Sequence, residues 1–198
     1  MAKIGLFFGS FNPIHIGHMA IAGYMTEFTD LKEVWFVVSP HNPLKKKSAL
    51  LPDYERLLMT ELAIGDNYRL RASDIEFRLP VPSYTIDTLT YLNEKFPSNE
   101  FMPIMGEDNL YTLHKWKNAE ELVKRHKIIV YPRPYTSKPS SSLLDKILAL
   151  ADIEFVNAPL MDISGTFIRN GIKKGKNMSY FLAPPVWEYI EKKHLFEN

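Results

Sequence analysis

The residues of this chain with the clearest chemical purpose lie in Gly9-Ser10-Phe11-Asn12-Pro13-Ile14-His15-Ile16-Gly17-His18. They follow a short apolar run, Lys3–Phe8, and precede Met19–Phe28, which reads as a helix. A glycine-bearing turn between a strand and a helix is where phosphates bind, because the first helical N–H groups are unpaired and the dipole is positive there. Two imidazoles three residues apart fall on one side of the opening turn, and Gly17 leaves room for a ligand to approach. That pattern suits a polyphosphate. A metal pair would need further ligands that the chain does not obviously offer, so no protein-held metal is expected.

A second cluster, Asp162-Ile163-Ser164-Gly165-Thr166-Phe167-Ile168-Arg169, begins after Pro159 and predicts another helix start, with Ser164 or Thr166 as the N-cap. Arg169 lies about one turn beyond Thr166, so hydroxyls, backbone N–H groups and a guanidinium can converge on one anion. Alone, a capped helix with a surface arginine is commonplace. Competing phosphate motifs fail: no Gly-x-Gly-x-x-Gly follows a strand, and Gly171-Ile172-Lys173-Lys174-Gly175-Lys176-Asn177 has the wrong spacing for a P-loop and lacks its Ser or Thr. Kinase and dehydrogenase readings drop away.

The elements that must position these residues follow from the hydrophobic pattern. Lys3–Phe8, Glu33–Val38, Phe101–Met105, Lys127–Tyr131 and Ile153–Val156 are apolar runs stopped by Gly, Pro, Ser or Asn and read as buried strands, with Tyr68–Phe77 as a further candidate. Between them Ile86, Leu89, Leu92 and Phe96, and Leu143 to Ala151, carry helical spacing, while Asp53–Ile64 and Pro184–Leu195 add helices. This alternation predicts an α/β fold, Rossmann-like and doubly wound, with a mostly parallel sheet and helices on both faces. Ligands of such sheets sit at the C-terminal ends of the strands. A chain of 198 residues with 45% hydrophobic and 24% charged residues fits one globular domain spanning 1–198.

Composition removes several function classes. Lys plus Arg number 24 against 23 Asp plus Glu, a net charge of +1, so no broad basic surface is offered to nucleic acid or to an anionic membrane. The absence of cysteine removes disulfides, zinc ribbons, iron–sulfur clusters and a thiol nucleophile. Apolar runs such as Val34–Val38 fall far short of the ~18 residues a membrane helix needs, and the first residues do not form a signal peptide. A cytoplasmic protein is expected.

The spacing G-x-F-x-P-x-H-x-G-H in residues 9–18 resembles the signature of the nucleotidylyltransferases, relatives of the class I aminoacyl-tRNA synthetases. Ile163-Ser164-Gly165-Thr166-Phe167-Ile168-Arg169 resembles the I-S-x-T-x-I-R element of the same family. By that resemblance His15 and His18 contact the nucleotide phosphates and stabilise charge at the transferred phosphorus, and Ser164, Thr166 and Arg169 hold the β- and γ-phosphates. His15, His18 and Arg169 form the implied catalytic set, with Gly9, Ser10 and Phe11 in the ATP-binding turn. Two positions depart from the pattern: Asn12 stands where many members have Asp, and Gly165 where members acting on nicotinate mononucleotide usually have Ser.

The acceptor is addressed by Pro82–Leu89, which reads as a capped helix start, and by Met105–Leu110 followed by Trp116 in a polar surround. An indole face can stack on a pyridinium, and helix-start N–H groups can receive a carboxylate. With Pro40–Pro43 and Tyr180–Ile190, these segments resemble the bacterial nicotinate-nucleotide adenylyltransferases over nearly the whole chain. The resemblance implies that Trp116 stacks on the nicotinate ring, that the backbone around Thr85 and Lys117, with Ser83 and Tyr84, reads its carboxylate, and that Asp108 lies near the adenosine. It also implies that Lys45, or its neighbours Lys46 and Lys47, and Arg133 lie near the phosphates. Arg56 is either part of this pattern or a structural ion-pair partner.

The implied reaction is adenylyl transfer from MgATP to nicotinate mononucleotide, with Mg2+ carried by the nucleotide. Its products are nicotinate adenine dinucleotide and pyrophosphate. The phosphate nucleophile is already an anion, so positioning and charge stabilisation suffice. The alternatives are another phosphorylated acceptor, such as nicotinamide mononucleotide, pantetheine phosphate or flavin mononucleotide, or a nucleotide-binding sensor without catalysis. A tRNA synthetase is opposed by the length and the charge. Oligomeric state is left open by the sequence.

Overall fold

The computed structural model describes residues 1–40 and 50–197. Six strands form one sheet: β1 (Ala2–Gly9), β2 (Glu33–Val38), β3 (Leu70–Ser73), β4 (Asn99–Gly106), β5 (Ile128–Tyr131) and β6 (Ile153–Phe155). Their order is β3-β2-β1-β4-β5-β6 and every pairing is parallel, with Phe7 opposite Phe36 on one side and Ile104 on the other. The expected mostly parallel sheet is thus wholly parallel.

The eight helices described are α1 (Ile16–Phe28), α2 (Asp53–Ile64), α3 (Thr85–Lys95), α4 (Glu107–Leu110), α5 (Ala119–Arg125), α6 (Ser142–Leu148), α7 (Gly165–Lys173) and α8 (Pro184–Lys193). They cover both faces because the central strands alternate which side each apolar residue enters. Phe7, Val34, Phe36 and Val38 join Ile21 and Met25 of α1, Met59 of α2, Ile168 of α7 and Val186 of α8 in one buried cluster. Ile4, Leu6, Trp35 and Val37 join Leu89 and Leu92 of α3, Leu122 of α5 and Ile147 of α6 in the other. Both clusters are removed from water, and that burial is the main favourable term holding the helices on the sheet.

Two local expectations need correction. Tyr68–Phe77 is not one strand: β3 covers only Leu70–Ser73, and the chain then winds into a 3-10 turn at Ile75–Arg78. Its alternating Ile75 and Phe77 mimic a strand pattern, but Phe77 N donates to Asp74 O at 2.9 Å and Leu79 N to Glu76 O at 3.3 Å. The helix start near Pro82 is not capped by Ser83. Tyr84 is the N-cap of α3 and gives no side-chain cap, because the Ser83 hydroxyl is turned to Glu76. By contrast Pro184 occupies the first turn of α8, as a proline with no N–H to lose should.

Candidate active site

In this strand order the connections run to opposite sides from β1 and β4, leaving a crevice above their C-terminal ends. β1 ends at Gly9 and β4 at Gly106, and a cleft of about 900 Å³ opens there. Gly9, Ser10, Phe11, His15 and His18 line it together with Ser83, Tyr84, Thr85, Asp108, Trp116, Lys117, Arg133, Ser164, Thr166 and Arg169. The two motifs and the acceptor segments are therefore brought to one place. Lys45, Lys46 and Lys47, and His41 to Pro43, lie outside the described residues.

His15 is the N-cap of α1 and His18 lies in its first turn. Their rings stack at 3.7 Å between centroids, inclined by 23°. The His15 backbone N–H donates to His18 Nδ1 at 3.3 Å, so a neutral His18 carries its proton on Nε2. Phe7 and Phe11 meet the His18 ring edge-on at 5.9 and 5.0 Å and fix its plane. His15 is buried, and burial first, with the nearby Arg133 cation second, pulls its pKa down to about 4. It is neutral at pH 7, with its Nδ1 buried and without a protein partner. A polar atom left so in a cleft wall has a ligand or water as its natural partner.

The opposite wall is the start of α7. Ser164 is the N-cap, accepting from Phe167 N at 3.2 Å, which decides between the two candidate caps. Thr166 instead accepts from Arg169 Nη2 at 3.2 Å. Arg169 Nη1 donates to the Asn12 carbonyl at 2.7 Å, and the Asn12 side-chain oxygen accepts from Leu51 N at 3.2 Å. Gly165 permits this approach, since a Cβ there would lie 2.9 Å from the Asn12 carbonyl oxygen. The two departures from the family pattern thus touch one another.

Arg56 is fully buried on α2 and donates to the carbonyls of Leu51 at 3.0 Å, Ser10 at 2.6 Å and Ser39 at 2.8 Å, besides pairing with Asp53 at 2.6 Å. Its guanidinium is committed to three main-chain carbonyls and to Asp53, which is the structural ion-pair reading of Arg56. It holds the histidine-bearing turn to the end of β2.

On the acceptor side, the first N–H groups of α3 have no intrahelical acceptor, and Tyr84 leaves them uncapped. Lys117 Nζ pairs with Asp87 of α3 at 2.8 Å and lies 4.7 Å from the Tyr84 ring centre. This ties the Trp116 segment to the helix start. Trp116 is half-buried: one side packs on the cluster around Leu113 and Ile147, the other lines the cleft, and its Nε1 is buried without a partner. It is more core-like than its polar sequence neighbours suggested.

Asp108 and Arg133 face each other at 3.6 Å, and the Arg133 guanidinium lies over Tyr131 at 5.2 Å. Gly106 makes room for them, because a Cβ there would overlap Asp108 and stand 2.9 Å from Arg133 Cγ. Tyr131 and Glu76 are among the wall residues that sequence reasoning missed. Tyr131 ends β5, and burial raises its hydroxyl pKa. Glu76 is a nearly fully buried acid hidden in the segment taken for a strand.

Among the described residues no group of three or more His, Cys, Asp or Glu could hold a metal ion. The walls offer imidazoles, guanidiniums and helix-start N–H groups, a donor set that fits phosphate oxygens.

Comparison with known proteins follows the same lines. A cytidylyltransferase-like family model matches residues 6–171. A Flavobacterium johnsoniae protein named "Probable nicotinate-nucleotide adenylyltransferase" is 52% identical over 99% of this chain and 100% of its own length. A Bacteroides fragilis protein of the same name is 47% identical over 95% and 90%. The solved Plasmodium falciparum nicotinic acid mononucleotide adenylyltransferase complexed with NaAD shares the fold, with a TM-score of 0.81 at 21% identity over 100% of this chain and 98% of that one. From motif spacing, strand order and full-length similarity alike, the chain belongs to the nicotinate-nucleotide adenylyltransferases within the cytidylyltransferase-like family.

Proposed function

We propose that this protein transfers the adenylyl group of MgATP to nicotinate mononucleotide, giving nicotinate adenine dinucleotide and pyrophosphate, a step of NAD biosynthesis. The observation that carries the reading is the single cleft in which the imidazole pair and the α7 start face Trp116 and the uncapped start of α3. The names of full-length relatives at 39 to 52% identity support the choice of acceptor.

The triphosphate lies between His15, His18 and the Ser164–Arg169 turn, with Gly9, Ser10 and Phe11 beneath it and Asp108 toward the adenosine. Arg133 and a lysine of the Lys45 group add positive charge. MgATP is the substrate form, its magnesium held by phosphate oxygens and water. The mononucleotide places its ring on Trp116 and its ring carboxylate at the N–H groups around Thr85 and Lys117, beside Ser83 and Tyr84. Its 5′-phosphate oxygen attacks the α-phosphorus in line; that P–O bond forms as the bond to pyrophosphate breaks. Charge moves onto the leaving oxygens, where His18, Arg169 and the α7 N–H groups receive it. No general base is needed, since the nucleophile carries no proton to remove. We read the enzyme as a cytoplasmic one acting on small molecules.

The test is pyrophosphate release from MgATP with nicotinate mononucleotide, its amide, pantetheine phosphate and flavin mononucleotide offered separately, and with no acceptor. Release chiefly with nicotinate mononucleotide is expected. Release with another acceptor would keep the phosphate half and discard the acceptor half, and silence with ATP still bound would make the protein a sensor.

A further inference from the structure

We propose that Glu76 is the positioning residue of the acceptor half of the cleft: its buried carboxyl group fixes Ser83–Thr88, and so the start of α3, in the attitude that receives the pyridine nucleotide. The proposal rests on the reading of the cleft given above.

Glu76 is 2% exposed, in the 3-10 turn after β3, and it lines the cleft wall. A buried carboxyl group is costly unless its oxygens are satisfied. Here hydroxyls satisfy them: Ser83 Oγ donates to Oε2 at 2.8 Å and Thr88 Oγ1 donates to Oε1 at 2.8 Å, and the nearby Ser39 side chain favours the charged acid. Among the described residues no lysine or arginine pairs with it. An acid held in the interior by two hydroxyls of one helix start, with no cation paired to it among the described residues, contributes geometry.

That geometry is directed at one structure. Ser83 precedes the N-cap of α3 and Thr88 lies in its first turn, so the two oxygens of Glu76 grip the helix start from both sides. Thr88 Oγ1 also lies 3.3 Å from the Tyr84 carbonyl, and Asp87 N and Thr88 N donate to that carbonyl at 3.0 and 3.1 Å. The N-cap has no side-chain cap of its own. The acid therefore supplies the fixation that a capping side chain would give, while leaving the first N–H groups of the helix unoccupied by the protein. A carboxylate-bearing ligand benefits from such groups only if they are already aimed.

Ser39 links the two halves of the site. It stands near Glu76, where its side chain favours the charged acid, and its carbonyl accepts from Arg56, which also holds the Ser10 carbonyl. The helix start that faces the acceptor is thus registered against the turn that faces the triphosphate.

The experiment compares the full-length wild type with Glu76→Ala and Glu76→Gln, in steady-state kinetics and in amide hydrogen exchange. Glu76→Ala should raise KM for nicotinate mononucleotide about tenfold or more while KM for ATP changes by less than about twofold. Glu76→Gln should restore most of the loss, because an amide can accept from one hydroxyl and donate to another. Amides of residues 83–90 should exchange faster in Glu76→Ala, with those of α1 and α7 unchanged. Equal rises in both KM values, uniform acceleration of exchange, or an unaltered acceptor KM would each overturn the proposal. Should Glu76→Ala not fold, Ser83→Ala and Thr88→Val each remove one bond, and an unchanged acceptor KM in both would overturn it. If the wild type does not turn over nicotinate mononucleotide, the functional reading fails, and local exchange at residues 83–90 still decides whether the clamp exists.

Discussion

Arg169 Nη1 donates to the main-chain oxygen of Asn12 at 2.7 Å across 157 residues of sequence. This bond joins the two motifs by fixing the backbone of one to the guanidinium of the other. The Asn12 side-chain oxygen separately accepts from Leu51 N at 3.2 Å. A neutral amide serves that bond as well as a carboxylate would, and it puts no negative charge in the histidine-bearing turn.

Gly165 is the residue that lets the bond form. Gly165→Ala would place a methyl 2.9 Å from the Asn12 oxygen and 3.2 Å from Arg169 Nη1, with backbone on one side that cannot step aside cheaply. The expected result is a loss of about 1–3 kcal/mol in stability from overpacking and a rise in KM for ATP, read by urea unfolding and initial rates. A variant as stable and as active as the parent would show that the α7 start yields.

His18→Ala should lower kcat by on the order of 10²-fold if the imidazole supports charge that develops at the phosphorus, as a single preorganised donor typically does. KM for either substrate should move much less. Single-turnover rates measured by quench separate this from a change in product release. An unchanged chemical step would remove His18 from the mechanism.

Trp116→Ala should act on the acceptor alone, raising its KM and sparing that of ATP, because stacking is made equally in ground and transition states. Since the indole also packs on the cluster around Leu113 and Ile147, a stability loss of about 3 kcal/mol or more accompanies it. Trp116→Phe keeps the packing and an aromatic face and should recover most of both. An equal effect on the two substrates would place the ring outside the acceptor site.

His15 ties stability to pH. Its folded pKa is about 4 against an ordinary 6.5, chiefly through burial. Between those values the unfolded chain binds a proton that the folded chain refuses, so this contribution is present above pH 6.5 and is lost as the pH falls toward 4. His126, lowered by burial, acts with the same sign, whereas Glu76, raised by burial, favours the folded state as the pH falls. His15→Asn isolates the first term: its urea midpoint should fall less than the parent's between pH 6.5 and 4.5. Parallel curves would mean that His15 titrates normally.

How far the sequence could be read depends on whether a residue's task is local. β1, β2, β4 and β5 were legible because strands buried on both faces are continuous apolar runs, and the imidazole turn because its spacing alone sets its geometry. Ser164 as a cap is equally a local matter, decided over three residues. Ser83 is the opposite case: beside a helix start its hydroxyl should cap, yet an acid seven residues earlier in the chain captures it. Glu76 itself gave no signal, since an acid between Ile75 and Phe77 looks like the solvent face of a strand. Arg56 reads equally as a pattern residue or a structural ion-pair partner until the sheet brings the Ser10 and Ser39 carbonyls to it.

The placement of α7 and α8 on the same face as α1 has a consequence for the order of synthesis. β1 and α1 come before the other strands in the chain, but the guanidinium that locks their turn arrives only with residue 169, and α8, whose Tyr189 bonds Glu55 beside Arg56, follows it. All six strands precede the second wall of the cleft in chain order. In chain order the sheet is therefore complete before the cleft is, and the cleft is a property of the finished fold.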